Sequence, residues 1–411
     1  MMKRLFFFIL LAPFLMGCSS NDGIDNNGRK NIELSRSEEV MTEETLDFAF
    51  RFFQQVNKSE MEQANWMVSP LSAGMALGMI TNGASGNTLK EMKATLGFSQ
   101  ASIDEMNAYY RRLLTEMPGL DKTTQLSLAN SIWIDNGFQV KSPFVDVNEQ
   151  MYNAKVSNLD FTSVNAPTTI NNWCSDHTNG RIPKVLKEIA PGTQMLLLNA
   201  LYFKGIWKKG YKFEKLNTQD EDFTNADGSI TKVKMMNQTN RYRYTSNDYF
   251  GIADFDYGNG AYSMTIFLPN TDRTFEECLE ALTAENWVAW GKELSNRKLY
   301  VKMPRLEIEY NKDLKEDMKA LGMKDAFNSA AADFSNISNN DLYLGLLKQF
   351  TYLKVDEEGT EAAAVTVGGM VNAAPPILEE PTPFYLNRPF VFMIRESSTG
   401  TILFMGKVTK M

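Results

Sequence analysis

The chain has 411 residues, of which 43% are hydrophobic and 22% charged, a composition ordinary for a globular protein with a large core. Its formal net charge of -8 argues against nucleic acid as the main partner, because neutralising phosphates requires a basic surface. The single histidine, His177, excludes sites that need two histidines and argues against a serine–histidine–aspartate enzyme.

The first segment has the pattern of an export signal. Lys3-Arg4 precedes an apolar run from Leu5 to Met16 that is too short to cross a bilayer. The run ends in Leu15-Met16-Gly17-Cys18-Ser19, which resembles the bacterial lipobox. This resemblance predicts a signal peptide over residues 1–17 and lipidation of Cys18, giving an exported lipoprotein of the bacterial cell envelope, at the outer membrane or cell surface. The alternative is an ordinary cleaved signal with an incidental cysteine.

Residues 18–37 are polar and predict a flexible tether, since they cannot bury apolar surface. No internal repeat or proline-rich linker divides residues 38–411, which indicates one large domain. Within it, Cys174 and Cys278 can either pair or stay buried. Cys174 lies three residues before His177, but without an evident carboxylate to orient the histidine we expect two neighbours on a helix face, not a nucleophile and its base.

The predicted elements of this domain are helices early in the chain and strands later, without regular alternation, which indicates an α+β architecture. The predicted helices are Leu46–Phe53, Ser72–Asn82 and Thr88–Leu96, and the predicted strands are Leu126–Ile134, Met195–Phe203, Met264–Leu268, Leu299–Met303, Leu306–Tyr310 and a C-terminal hairpin of Pro389–Ile394 and Thr401–Val408.

One long segment stands apart from these elements. Thr351–Glu358 predicts a strand with an acidic end, and residues 359–374 that follow are small and mostly uncharged. The stretch up to Pro389 predicts an exposed loop of roughly thirty residues, a length that is uncommon in compact domains and usually functional. A merely flexible excursion is the alternative on composition alone.

From about residue 40 to the end, the chain resembles the serpin family. Several motifs occur in the order and spacing of that family. They are Asn65-Trp-Met-Val-Ser-Pro-Leu-Ser72, Gly83-Ala-Ser-Gly-Asn-Thr88, Ile170-Asn-Asn-Trp173 with Thr178-Asn-Gly-Arg-Ile-Pro183, Leu198-Asn-Ala-Leu-Tyr-Phe-Lys-Gly205 with Trp207, Glu357-Glu-Gly-Thr-Glu-Ala-Ala-Ala364, Asn387-Arg-Pro-Phe390 and Leu403-Phe-Met-Gly406.

The resemblance implies a serpin fold, with helices packed around a five-stranded main sheet, smaller sheets and an exposed reactive loop over about residues 359–386. It implies a monomeric inhibitor, not an enzyme, whose partners are proteases and which needs no catalytic residue, metal or cofactor. A target protease cleaves the loop and forms an acyl-enzyme, and insertion of the loop into the sheet traps it.

The family's inhibitory hinge corresponds to Glu357, Glu358, Gly359, Thr360, Glu361, Ala362, Ala363 and Ala364. Alternation along a strand directs Thr360, Ala362, Ala364 and Thr366 inward, and all four are small enough for rapid insertion. This favours inhibition over the storage or chaperone-like role of non-inhibitory members. A lipid-anchored binding protein and a hydrolase are the alternatives from other classes.

Family spacing places the scissile bond between Ala373 and Ala374, with the bonds after Met370, Val371 or Asn372 as alternatives. Such residues suit elastase-like serine proteases with small pockets, and cysteine proteases remain open as targets. Trypsin-like targets are not expected, because no lysine or arginine lies between Gly359 and Pro381.

The resemblance also assigns a gating region, where the sheet opens to admit the loop. Ser69, Ser72, Asn199 and Gln349 correspond to the family's shutter, and Trp207 corresponds to the breach, where insertion begins; ordinary core packing is the alternative for each. Gln349 replaces a histidine found in many serpins. Because glutamine does not titrate, we expect opening to depend less on pH than in histidine-bearing relatives.

Overall fold

The computed structural model describes residues 29–360 and 379–411. Its helices in these ranges are α1 (Arg36–Ser59), α2 (Pro70–Thr81), α3 (Gly86–Leu96), α4 (Ile103–Glu116), α5 (Ser142–Tyr152), α6 (Ala166–His177), α7 (Phe275–Ala281), α8 (Ala284–Glu293) and α9 (Lys315–Ala320).

The strands in the same ranges form two sheets. They are β1 (Asn65–Val68), β2 (Thr124–Asp135), β3 (Ala154–Leu159), β4 (Met195–Ile206), β5 (Gln219–Thr224), β6 (Ile230–Ser246), β7 (Phe250–Tyr257), β8 (Tyr262–Pro269), β9 (Ser295–Pro304), β10 (Leu306–Asp313), β11 (Lys348–Asp356), β12 (Gly359–Thr360), β13 (Thr382–Tyr385), β14 (Phe390–Glu396) and β15 (Ile402–Val408). The α+β architecture expected from the sequence is confirmed.

The sheet that carries the loop has the strand order β10-β11-β12-β4-β2-β3. Five of these strands form the main sheet that the resemblance implied, and the described part of the sixth, β12, comprises Gly359 and Thr360. β12 lies between β11 and β4 and runs antiparallel to both. The first residues of the predicted hinge therefore already form a strand inside this sheet.

The second sheet has the order β1-β15-β14-β8-β7-β6-β9-β13, with β5 paired to β6. The predicted C-terminal hairpin forms its buried centre, because every residue of β14 and β15 is buried. The almost wholly buried helix α2 contacts β15 in this sheet and β4 in the other. The main core thus lies between the two sheets.

A smaller core lies on the opposite face of the loop-bearing sheet, under α6. Trp173 and Cys174 of α6 pack there with Trp133 of β2 and Ala200 of β4. Side chains on β4 therefore alternate between the two cores, which explains why the sequence Met195–Phe203 is apolar without interruption.

The folded body begins earlier than the residue 38 expected from the sequence. Ser35 caps α1 and forms a capping box with Glu38. Ile32 is buried, and its amide donates a hydrogen bond to Ser398 Oγ in the turn between β14 and β15. The last residues assigned to the tether therefore pack against the body.

Candidate functional site

The foot of the predicted hinge is a tight turn at Glu357 and Glu358 that joins β11 to β12. Val355 lies opposite Thr360 and Asp356 opposite Gly359. On its other side, β12 pairs with Gly205 and Ile206 of β4. The first two residues after the turn thus already occupy the position of a new strand in the sheet.

Gly359 is required by the close approach of β12 to β4. Its φ of +145° lies in the region that favours glycine, and a Cβ there would lie 2.1 Å from the carbonyl oxygen of Gly205. Any other residue would displace the start of the hinge from the sheet.

Thr360 follows as the first inward-facing residue of the hinge, and only 2% of its surface is exposed. Its Oγ1 lies 2.6 Å from the hydroxyl of Tyr257, which is the last residue of β7. The Tyr257 ring stacks on Trp207, with 4.7 Å between centroids. Trp207, assigned to the breach from the sequence, therefore lies beside the entry point of the hinge.

Glu357 fixes the turn from one side, although only 1% of its surface is exposed. Arg305 Nη2 lies 2.7 Å from Glu357 Oε1, and Thr218 Oγ1 donates a hydrogen bond to the same oxygen at 2.6 Å. Burial raises the pKa of this carboxyl, but the hydrogen bonds from Arg305 and Thr218 outweigh it, so the pKa is lower than usual.

Glu358 fixes the turn from the other side. Its carboxylate lies 2.7 Å from Lys212 Nζ and 3.9 Å from Lys215 Nζ. Its carbonyl oxygen accepts a hydrogen bond from the Trp207 amide, and the Trp207 indole donates to the Asp356 carbonyl. Both side chains and backbone therefore fix where the hinge enters the sheet.

The four predicted shutter residues form two hydrogen-bonded groups, with Gln349 in β11 and Asn199 in β4. Gln349 Oε1 accepts from the Ser69 amide and Gln349 Nε2 donates to the Ser69 carbonyl, both at 2.8 Å. Ser69 Oγ accepts from the Ser72 amide and caps α2. Asn199 Nδ2 instead donates to Asn130 Oδ1 at 2.7 Å. Asn199 Oδ1 is buried and has no hydrogen-bond partner among the described residues.

A cavity of about 60 Å³ lies beside the other end of β4. Its lining is largely aliphatic, with a few polar groups. It is formed by Cys174, Thr178, Ile182, Val185, Leu186, Leu196, Leu197, Leu198, Asn199, Ala200, Leu346, Lys348 and Phe350. The cavity borders residues of both β4 and β11, the two strands that pair with β12.

The two cysteines in the body are both buried and unpaired, which answers the question the sequence left open. Burial raises the pKa of the Cys174 thiol to about 12, so it is protonated at neutral pH. His177 Nδ1 lies 2.7 Å from the Trp173 carbonyl oxygen, and its ring stacks on Trp173. These contacts agree with a structural role for both residues.

Several predicted site residues lie outside the described parts of the chain. They are Cys18, Glu361, Ala362, Ala363, Ala364, Met370, Val371, Asn372, Ala373 and Ala374. Within residues 29–360 and 379–411, no group of acidic, cysteine or histidine side chains is arranged to hold a metal ion. None of the helices in these ranges has the length and apolar character needed to span a membrane.

Tyr257, Arg305, Thr218 and Lys212 were not identified from the sequence. Arg305 lies 52 residues from Glu357 in the sequence and the other three lie more than 100 residues from the hinge residue that each contacts, and none belongs to a motif described above. Only the fold brings them to the turn. Their residue types alone carry no signal of that contact.

The family model for Serpin (serine protease inhibitor) matches residues 43–411. Neuroserpin from Gallus gallus is 33% identical over 363 residues, which cover 85% of this chain and 87% of that protein. Among solved structures, the thermophilic serpin Tengpin in its native state is 30% identical with a TM-score of 0.83, covering 93% of this chain and 96% of that one. Human thyroxine-binding globulin, solved in complex with thyroxine, is 25% identical with a TM-score of 0.81, covering 91% of this chain and 99% of that one.

Proposed function

This chain belongs to the serpin family of serine protease inhibitors, and we propose that it traps its target protease as a suicide substrate. The observation that carries the proposal is the position of Gly359 and Thr360 between β11 and β4. The start of the hinge therefore already lies in the strand position that insertion would extend. Small residues at positions 362, 364 and 366 would continue the inward face.

The trapping reaction requires chemistry only from the protease. Its serine oxygen attacks the carbonyl carbon of the residue before the cleaved bond, which we place at Ala373-Ala374, and an ester forms as the amine of Ala374 leaves. The cut loop then extends β12 through the sheet and carries the bound protease with it, before water hydrolyses the ester. Inhibition is therefore a competition between insertion and hydrolysis.

The sequence of the loop supports elastase-like serine proteases as the targets. Alanine, valine or methionine before the cleaved bond fits a small apolar pocket, and a lysine or arginine for a trypsin-like pocket is absent from residues 359–381. Cysteine proteases form thioester acyl-enzymes and are a second target class under the same mechanism. In each case the inhibitor acts without catalysis of its own, as a monomer.

Incubation with pancreatic elastase tests the proposal. We expect a covalent complex stable to SDS, and mass spectrometry of the released fragment identifies the cleaved bond. Thr360→Arg should abolish most of the complex, because burying an unpaired charge beside Tyr257 delays insertion; we expect roughly tenfold or more inhibitor consumed per protease trapped. Thr115→Arg, on the exposed face of α4, is the matched control.

The alternative is a non-inhibitory binding role. The similarity to thyroxine-binding globulin, which was solved with thyroxine bound, supports this alternative. Such a protein would be cleaved by elastase without forming any complex, and Thr360→Arg would change nothing. A hydrolase would instead turn over a substrate. Either result would overturn the inhibitory proposal.

We also propose that Cys18 is lipidated and anchors the protein in a bacterial cell envelope. The lipobox-like sequence that ends at Cys18 supports this, and residues 19–28 would connect the anchor to the body. The mass of the N-terminal peptide from the mature protein tests it, since acyl chains on Cys18 add a defined mass. An unmodified N-terminus elsewhere would contradict it.

A further inference from the structure

Tyr257 holds a fixed position at the entry point of the hinge. It is fully buried, and its ring lies between Trp207, which stacks on it, and Phe203, which meets it edge to face at 5.1 Å. Gly205 allows this position, because a Cβ there would lie 2.8 Å from the Tyr257 ring. Packing therefore fixes the direction of the hydroxyl group.

That direction brings the hydroxyl to the first inward-facing hinge residue. Tyr257 Oη and Thr360 Oγ1 are 2.6 Å apart, and both residues are buried. Burial raises the pKa of Tyr257, so the phenol remains protonated at neutral pH and one hydroxyl donates to the other. Leaving either hydroxyl buried without a partner would cost free energy.

Resting on the proposed function, we propose that Tyr257 is a positioning residue of the inhibitory mechanism, whose hydroxyl holds Thr360 in the first position of the inserting strand. The loop then starts insertion from a pair already formed. The first pairing of a chain segment with a sheet loses conformational entropy, and only the pairs that form afterwards offset this loss. When Thr360 is already held in the sheet, that entropy has been lost before the protease attacks. The cut loop then needs only to extend the existing strand.

Two nearly isosteric variants test this contact from both sides. Tyr257→Phe keeps the stacked ring and removes its hydroxyl, and Thr360→Val keeps the branched shape and removes the other hydroxyl. A hydrogen bond of this kind contributes about 1 kcal/mol, which corresponds to roughly a fivefold change in the population of the held state. We expect each variant to raise the number of inhibitor molecules consumed per protease by about two- to tenfold.

A double variant and a control distinguish loss of the hydrogen bond between Tyr257 and Thr360 from a general effect on core packing. If the two hydroxyls act together, Tyr257→Phe combined with Thr360→Val should be no worse than the worse single variant. Tyr242→Phe is the matched control. Tyr242 is also fully buried, but its hydroxyl has no hydrogen-bond partner among the described residues. Its removal should leave the stoichiometry of inhibition unchanged.

A second measurement needs no protease. Amide hydrogen exchange at Gly359, Thr360 and Ile206 reports whether β12 is held in the sheet, and we expect faster exchange in Tyr257→Phe and in Thr360→Val but not in Tyr242→Phe. Faster exchange in a protein that forms no complex would refute the proposed function and preserve the contact's role in holding the hinge. Equal exchange and equal stoichiometry in all the variants would refute the role of Tyr257. Should Tyr257→Phe fail to fold, Thr360→Val alone decides the outcome.

Discussion

The two ends of β4 differ in how they are packed. At the end that receives the hinge, Leu201, Tyr202 and Phe203 are buried, and the Trp207 amide donates a hydrogen bond to the Glu358 carbonyl oxygen. At the other end, Met195–Asn199 are only partly buried and border the cavity. β4 is therefore tightly packed where the hinge pairs with it and loosely packed beside the cavity.

The two ends of β4 also differ in their relation to β12. Gly359 and Thr360 of β12 pair with Gly205 and Ile206 at one end of β4, and in the described parts of the chain the sheet order joins β11 to β4 through β12. Under the proposed mechanism the cleaved loop would continue β12 along both strands toward the cavity, where packing contacts remain to be gained.

The largest expected effect compares two leucines on the same face of β4. Leu201 is 6% exposed, whereas Leu197, four residues earlier, is half-buried beside the cavity. Leu201→Ala should lower the free energy of unfolding by about 2–5 kcal/mol, because it creates a void in a packed core. Leu197→Ala should cost less than half of this. Urea unfolding monitored by circular dichroism measures both changes. Equal decreases in the free energy of unfolding would contradict the proposed difference in packing.

A smaller effect is expected at the turn, on the tightly held side. Arg305→Ala leaves the Glu357 carboxylate with fewer partners in a buried position and should cost about 1 kcal/mol at neutral pH. This lies at the lower end of the usual range, because the Arg305 side chain is 45% exposed and water can partly replace it.

The pH dependence of that effect has a definite sign. The folded-state pKa of Glu357 is lowered, so its contribution to stability is present above the unfolded pKa of about 4.3 and is lost as pH falls through the folded pKa. The difference between wild type and Arg305→Ala should therefore be constant above pH 6 and shrink below pH 4. Arg297→Ala, at the exposed start of β9, is the control. A difference that grew in acid would contradict the role assigned to this pair.

How much of this could be read from the sequence depends on the kind of interaction. The apolar run of β4, the early helices and the C-terminal hairpin follow from local pattern, and the hinge follows from its small residues and family resemblance. Tyr257 and Arg305 reach the turn only through the tertiary fold, Tyr257 from β7 of the other sheet and Arg305 from the residue before β10. Local pattern also could not predict that Ile32 packs against the body, since one apolar residue in a polar segment carries little signal. The proposed scissile bond at Ala373 lies outside the described residues.

The smallest expected effect concerns Gln349, whose neighbours in β11, Lys348 and Phe350, border the cavity. Gln349 is bonded at both ends of its amide to the Ser69 backbone, and neither Ser69, Ser72 nor Asn199 titrates between pH 5 and 8. The rate of loop insertion should therefore vary little with pH over this range. Gln349→His would introduce a group with a pKa near 6.5, and its protonation removes the acceptor that the Ser69 amide needs.

We expect the insertion rate of Gln349→His to change several-fold between pH 5 and 8, while the wild type and Gln349→Met each give a flat profile after correction for the pH dependence of the protease. Stopped-flow fluorescence after mixing with elastase measures the rate. Gln349→Met separates loss of the amide from gain of a titrating ring, since it alters the rate without adding a charge. If Gln349→His and the wild type gave the same profile, opening of the sheet would not depend on the bonds between Gln349 and Ser69. The control of insertion would then lie at the hinge end alone, where Glu357, Glu358 and Thr360 are held.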